Sequence, residues 1–271
     1  MDNTLFDRPS SLLRDHVLLP IAEYGDDRIS DRASTVSTSL ACRISMKYDR
    51  VTTGTFLSRP NRFIAFCEVD GEVQKCHVKN TGRCKELLVP GAQVFLSVPD
   101  NPDRSTKYDL IAVMKGDRLI NMDSQVPNDA AYEGLSRIPF FSKVSSVRRE
   151  YTYGESRIDL MADGDGKRYL IEVKGVTLED DGVVRFPDAP TERGVKHIRE
   201  LIRSIGDGYI PCLLFVIQMD GVRYFEPNAA TDPHFADALV EAKAAGVNIF
   251  AYTCSVTPDS MELKDPVEVR I

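Results

Sequence analysis

The sequence has no apolar run long enough to cross a bilayer. Its longest, Cys212 to Ile217, falls far short of the roughly 20 residues that a membrane helix needs. The first residues include Asp2, Asp7 and Arg8 and lack the apolar core of a secretory signal, so a cytoplasmic setting without a membrane partner is expected. There is no C-x-x-C pair either. Cysteines at 42, 67, 76, 84, 212 and 254 are spread as reduced thiols are, several of them in strands. Cys76, His77 and Cys84 come nearest to a metal cluster, but their spacing fits no common zinc pattern. A positive charge balance is also missing. The net charge of −7 argues against a protein that coats nucleic acid by bulk attraction, and leaves room for a local basic groove. No internal repeat is visible.

What is present divides in three. Residues 1–45 are polar and rich in Ser and Thr, as in "DDRISDRASTVSTSLACR", and predict a flexible extension. Residues 46–124 read as strands. "RFIAFCEVDGEVQKCHVKN" holds two β-rich runs around Asp70-Gly71, and "QVFLSVP", "YDLIAVMK" and "RLINMD" follow at short intervals. One short helix fits at "GRCKELLV". These signals predict an OB-like β-barrel.

Residues 125–271 change pattern. "PNDAAYEGLSRI" predicts a helix capped by Asn128, followed by the strand "SVRREYTY" and a hairpin. "TERGVKHIRELIRSIG" is amphipathic, with Val195, Ile198, Leu201, Ile202 and Ile205 on one stripe. "IPCLLFVIQM" reads as a strand buried on both faces, Asp232 and Pro233 open a further helix, and "VNIFAYT" is a last strand. The order αβββαβαβ implies a mixed sheet covered by helices, and the chain as a whole reads as α+β.

The hairpin carries the chemistry. In "SRIDLMADGDGKRYLIEVKG", Asp165-Gly166 is a preferred pair for a two-residue turn. With that turn, facing positions sum to 331, so Asp159 lies opposite Glu172, and Lys174 shares that face. A turn centred at Gly164 would slip the register and put Asp159 on the other face. Facing carboxylates repel by a few tenths of a kcal/mol or more, roughly, and call for compensation. Mg²⁺ or Mn²⁺ supplies it, because such hard ions take carboxylates, water and substrate phosphate as ligands. Lys174 beside the ion would hold or help deprotonate a water and offset phosphate charge.

Other residues suit phosphate. Asp188 or Thr191 caps the helix after the third strand, and Arg193 and Lys196 lie near its positive end. In "NTGR", Asn80, Thr81 and Arg83 form a loop whose amides and guanidinium can hold a phosphate. Phe63 and Phe66 are either stacking platforms for bases or core residues.

Asp159 followed by Glu172-Val173-Lys174, in this order of elements, resembles the PD-(D/E)xK nuclease superfamily. The chain from about Met46 onward resembles the sugar fermentation stimulation protein A family in "NTGRCKELLVPGA", "RIDLM", "IEVKGVTLEDDGVVRFPDAPTERGVKHIREL" and "LLFVIQ". "MKYD" at 46 looks like a family start. The resemblance implies an OB-like domain, a restriction-endonuclease-like domain and DNA as partner. It implies that Asp159, Glu172 and the Val173 carbonyl bind Mg²⁺ or Mn²⁺, that Lys174 serves the water, and that Glu133 is an outer carboxylate. Two functions stay open: a Mg²⁺-dependent nuclease, and a non-catalytic DNA-binding regulator of sugar metabolism genes.

Overall fold

The computed structural model describes residues 46–101 and 103–271; the expected extension over 1–45, with Cys42, lies outside the described residues. The first described strand, β1 (Met46–Lys47), is not part of the barrel, although 46 was its expected boundary. It pairs antiparallel with the C-terminal part of the chain, Met46 opposite Met261.

The barrel is built from β2 (Val51–Ser58), β3 (Ile64–Val69), β4 (Glu72–Val78), β5 (Gln93–Ser97) and β6 (Tyr108–Lys115), in the order β4-β3-β2-β5-β6. It closes because β4 and β6 pair in parallel, Cys76 against Tyr108. A further strand, β7 (Arg118–Asn121), returns along β6 as a hairpin. Asp70-Gly71 turns β3 into β4 with φ of 52° and 80°, the left-handed pair that this turn requires. Phe56, Ala65, Cys67, Val94, Leu96 and Leu110 are buried in the core. "GRCKELLV" does not form the expected helix. Cys84 takes φ of 44°, which breaks a right-handed helical path, and the Leu87 and Leu88 amides fold back onto the Cys84 carbonyl as a turn.

The second part follows the expected αβββαβ order, with additions. Helix α1 (Val126–Gly134) is followed by β8 (Ser146–Tyr153), β9 (Ser156–Gly164) and β10 (Lys167–Val176). A small hairpin, β11 (Leu178–Asp180) and β12 (Val183–Phe186), precedes α2 (Glu192–Ser204), β13 (Ile210–Ile217) and β14 (Tyr224–Pro227). Then come α3 (Pro233–Ala245), β15 (Asn248–Thr257), β16 (Ser260–Pro266) and β17 (Glu268–Val269). Seven strands form one mixed sheet in the order β1-β16-β15-β13-β10-β9-β8, and β11, β12, β14 and β17 form a small second sheet. Strand β13 is central and parallel to both neighbours, and all but its first residue is buried, as its continuous apolar run predicts.

Helix starts differ in one useful way. Asp232 caps α3 as expected, its Oδ1 accepting from the Phe235 amide at 3.0 Å. Helix α1, however, begins at Val126, with Gln125 in the cap position and no side-chain cap bond. Asn128 is therefore inside the helix, and its side chain is free for another partner. On α2 the buried side holds Gly194, His197, Ile198, Glu200, Leu201 and Ser204, while Ile205 is exposed. The buried stripe is thus rotated relative to the purely apolar one.

Barrel and sheet are tied together by polar contacts. Glu179 accepts from Lys115 Nζ at 2.8 Å and pairs with Arg118 at 2.6 Å. Gln218 Nε2 donates to the Asn121 and Asp123 carbonyls, each at 3.0 Å. The five described cysteines are all buried and unbridged. Among the described residues no helix is long and apolar enough to cross a membrane.

Candidate metal and nucleic-acid site

The β9–β10 register is the one the Asp165-Gly166 turn predicts. Lys167 pairs with Gly164 and the ladder runs to Ile171 opposite Leu160. Asp165 and Gly166 take φ of 53° and 72°. Gly164 is not the turn centre. Its glycine is needed because a Cβ there would lie 2.2 Å from the Lys143 carbonyl oxygen.

At the next pair, Asp159 and Glu172, the ladder stops. The Val173 amide donates to the Asp159 side chain, Oδ2, at 2.8 Å. Alternation along β9 breaks here as well. Ile158 belongs to the core cluster containing Ile198 and Leu201 of α2, while Leu160 joins Ala130 and Ala131 of α1. In β8, Glu150 sits between Arg149, paired with Leu160, and Tyr151, paired with Ile158, and takes φ of 55°. Irregular backbone on both strands is how a sheet re-aims one side chain. The result brings Asp159 Oδ1 to Asn128 Nδ2 of α1 at 3.0 Å.

Glu172 is 1% exposed. Its Oε1 accepts from Lys174 Nζ and from His197 Nδ1 of α2. Arg193 Nε donates toward His197 Nε2 at 3.4 Å, which leaves Nδ1 as the protonated nitrogen facing Glu172. Glu172 Oε2 is buried and has no hydrogen-bond partner. The electrostatics separate the two carboxyls. Burial, then the nearby Glu172 charge, pushes the Asp159 carboxyl above its ordinary value, against Lys174 and its two hydrogen bonds. Burial also acts on Glu172, but His197 and Lys174 outweigh it and hold that carboxyl below its ordinary value.

Asp159, Glu172, Val173 and Lys174 are therefore brought together, with Arg193 linked to them through His197. Five expected residues are not: Glu133, Lys196, Asn80, Thr81 and Arg83. Glu133 accepts from the Met46 amide at 2.8 Å, and the α1 residue that reaches Asp159 is Asn128, more than a turn earlier. Lys196 lies toward the groove between α2 and α3, 3.9 Å from Glu200. Asn80 spends its side chain within the fold, donating to the Met122 carbonyl at 2.8 Å and accepting from the Gly82 amide at 2.7 Å. Thr81 and Arg83 are exposed on that loop. Of the two candidate caps of α2, Thr191 is the one used, accepting from the Gly194 amide at 3.0 Å. Asp188 instead accepts from the Arg83 amide at 2.8 Å. Phe63 is 55% exposed and Phe66 half-buried. His77 faces Asp109 at 3.2 Å rather than a cysteine pair.

Sequence reasoning missed His197 altogether, and took Asn128 for a cap rather than the partner of Asp159. For His197 a signal existed: it follows Gly194 by three positions and precedes Leu201 by four, so it shares their helix face. Among the described residues no three His, Cys, Asp or Glu side chains converge as a ready-made metal cage. Any ion here would rely on two carboxylates, a carbonyl, water and substrate oxygen, the manner in which Mg²⁺ is usually held.

A closed barrel of OB type followed by a restriction-endonuclease-like mixed sheet defines the class, and two family models match the chain in the same order. Residues 57–122 match the family model "SfsA N-terminal OB domain", and residues 125–260 match "Sugar fermentation stimulation protein RE domain". The chain belongs to the sugar fermentation stimulation protein family. It is 53% identical over 224 residues to a sugar fermentation stimulation protein homolog of Clostridium beijerinckii, covering 83% of this chain and 99% of that one. A homolog from Desulfitobacterium hafniense is 52% identical over 226 residues, covering 83% and 99%. Among solved structures, Pyrococcus furiosus SfsA in complex with Ca²⁺ is similar, with a TM-score of 0.76 and 25% identity, covering 84% of this chain and all of that one.

Proposed function

We propose that this protein binds DNA and hydrolyses phosphodiester bonds at a Mg²⁺- or Mn²⁺-dependent nuclease-type site. The observation that carries the reading is Glu172 Oε2, a carboxylate oxygen buried without a partner beside a second, half-buried carboxyl. Leaving such an oxygen unmet costs about 1–3 kcal/mol or more, and a divalent ion would meet it while offsetting the burial and the Glu172 charge that together raise the Asp159 carboxyl. The residues fit the ion: Asp159, Glu172 and the Val173 carbonyl would hold it. The related Pyrococcus furiosus protein was solved with Ca²⁺, a hard, oxygen-seeking ion of the same kind. When bound, the ion supplies charge for the phosphate oxygens and lowers the pKa of its water.

The chain's own groups have separate tasks. Lys174 Nζ lies on the Glu172 carboxylate, from which it offers protons toward a water or a phosphate oxygen. His197 fixes the orientation of Glu172, and Asn128 that of Asp159. Arg193 is exposed beside His197, where a phosphate can reach it.

A second reading is a non-catalytic DNA-binding regulator of sugar metabolism genes. It is favoured by Asp159, whose two oxygens already accept from Asn128 and Val173. Labelled single-stranded and duplex DNA, incubated with and without Mg²⁺ or Mn²⁺ beside Asp159→Ala, separates the two. Metal-dependent cleavage lost in the variant supports the nuclease; binding without cleavage under every metal condition supports the regulator.

A further inference from the structure

Beyond Lys174 the chain enters a narrow cleft. Gly175 and Thr177 line one side of it, and the barrel's Asn80, Thr81 and Gly82 line another, with Phe186–Thr191 between them. Its volume is about 320 Å³. That is the bottom of the range, about 300–1,000 Å³, that holds one small ligand. Paired, stacked strands do not fit such a space; a single nucleotide strand does. The walls are fixed rather than loose. Arg59 donates to the carbonyls of Arg62, Asn80, Gly82 and Arg83, at 2.7 to 2.9 Å. The Arg83 amide is bonded to Asp188 across the cleft. A Cβ on Gly82 would lie 2.7 Å from Asp188 Oδ2, so the two walls touch there as closely as glycine permits.

A second cavity, of about 750 Å³ on the barrel, shares Thr81, Gly82, Ala189 and Pro190 with this cleft. Arg62, Arg83 and Lys85 line it, and their side chains are exposed. None of the three meets a carboxylate among the described residues, in a chain where Lys47, Arg50, Lys79, Arg118, Arg149 and many other cations do. Phe63, 55% exposed, follows Arg62 directly. Unpaired cations beside an exposed aromatic ring on an OB-type barrel are the elements of a single-strand platform: charge for the backbone, a π-face for bases.

We infer that the DNA taken by this protein is single-stranded, with its backbone held on Arg62, Arg83 and Lys85 and an unpaired nucleotide seated in the adjoining cleft beside Thr81 and Gly175, the residue that follows Lys174. The inference rests on the DNA-binding reading above and names the form of the substrate. A cleft of about 320 Å³ matches one unpaired nucleotide, which a free strand or a strand peeled from a duplex can offer and a stacked, paired duplex cannot.

The test is equilibrium binding by fluorescence anisotropy with the full chain in EDTA, so that the metal site plays no part. The probes are a labelled oligothymidylate of about 15 nucleotides, within the roughly 4–16 that one OB barrel covers, and a blunt duplex of equal length. The parent is expected to bind the single strand at least about tenfold tighter than the duplex. An Arg62→Ala, Arg83→Ala double variant should lose about tenfold or more in single-strand affinity. Its salt dependence should flatten by about 1.4 in log–log slope, two phosphates at about 0.7 each. Both side chains are exposed, and an unchanged melting curve verifies folding. Arg168→Ala, on the exposed start of β10, should bind as the parent does. Equal or tighter duplex binding, or a double variant that binds single strands like the parent, overturns the inference. The two readings fail separately. Cleavage of duplex without single-strand preference sinks the inference and keeps the nuclease. Single-strand binding lost in the double variant, with no cleavage under any metal, does the reverse.

Discussion

His197 on α2 and Glu172 on β10, 25 residues apart in sequence, share a buried hydrogen bond from Nδ1 to Oε1. The bond faces Lys174 on the same oxygen and leaves Oε2 open. A carboxylate held by one oxygen from two sides cannot rotate, so the open oxygen has a fixed direction. Groups that orient a ligand in this way typically change metal affinity by about 10–100-fold when removed. His197→Ala should therefore weaken Mg²⁺ or Mn²⁺ binding by about that factor in calorimetry. His197→Gln, which can still donate to Glu172, should restore part of it. Equal metal affinity in parent and His197→Ala would show that the histidine only fills space.

Asp159 predicts opposite effects on two readouts. Asp159→Asn removes one charge and keeps the shape. Without divalent ions the variant should bind DNA as well as the parent or better, because repulsion of the phosphate falls. With Mg²⁺, cleavage should drop at least about a hundredfold, the scale of losing one main charge-stabilising group. Lys174→Ala should also abolish cleavage but slightly weaken metal-free binding. A variant whose cleavage survives either change would remove the proposed site.

The Glu179 cluster predicts acid sensitivity at the joint between barrel and sheet. Burial opposes ionisation of Glu179, but bonds from Lys115, the Gly182 amide and Arg118 prevail and hold its carboxyl down at about 2. The unfolded value is about 4.3. A depressed carboxyl stabilises the fold fully above its unfolded value and loses that contribution as pH falls toward its folded one. Stability should thus decline between about pH 5 and pH 2, by roughly 2–3 kcal/mol from this group. Glu179→Gln should be less stable at pH 7 and should lose that part of the slope, measured by denaturant titration at several pH values.

Arg59 predicts a stability effect that lysine does not rescue. Its guanidinium reaches four carbonyls from two loops at once, which the compact ammonium of lysine cannot do. Arg59→Lys should cost at least about 2 kcal/mol, since a single hydrogen bond from a charged group contributes about 1.5–3. In a chain of this size that lowers the melting temperature by about 4 °C or more. A melting curve that matches the parent would show that the loops hold without the clamp.

The sequence by itself determined what local backbone preferences determine. Asp165-Gly166 adopts the left-handed turn, and that turn alone sets the register that brings Asp159 toward Glu172. Asp70-Gly71 does the same in the barrel, and the apolar run of β13 marks the centre of the large sheet. The tertiary structure decided whatever depends on how a helix or loop docks. A helix's apolar stripe was legible, but its rotation by part of a turn was not, and that rotation puts His197 on Glu172 and turns Lys196 away. Asn128 looked like a cap because Asn caps helices; once α1 starts at Val126, the same amide is left to hold Asp159. Glu133 has the right residue type on the right helix, but its place near β1 gives it to the Met46 amide. Arg83 and Asp188 meet across 105 residues of chain. No pattern within either segment announces such a contact, because it is fixed by the packing of the barrel against the sheet and not by the propensities of either partner.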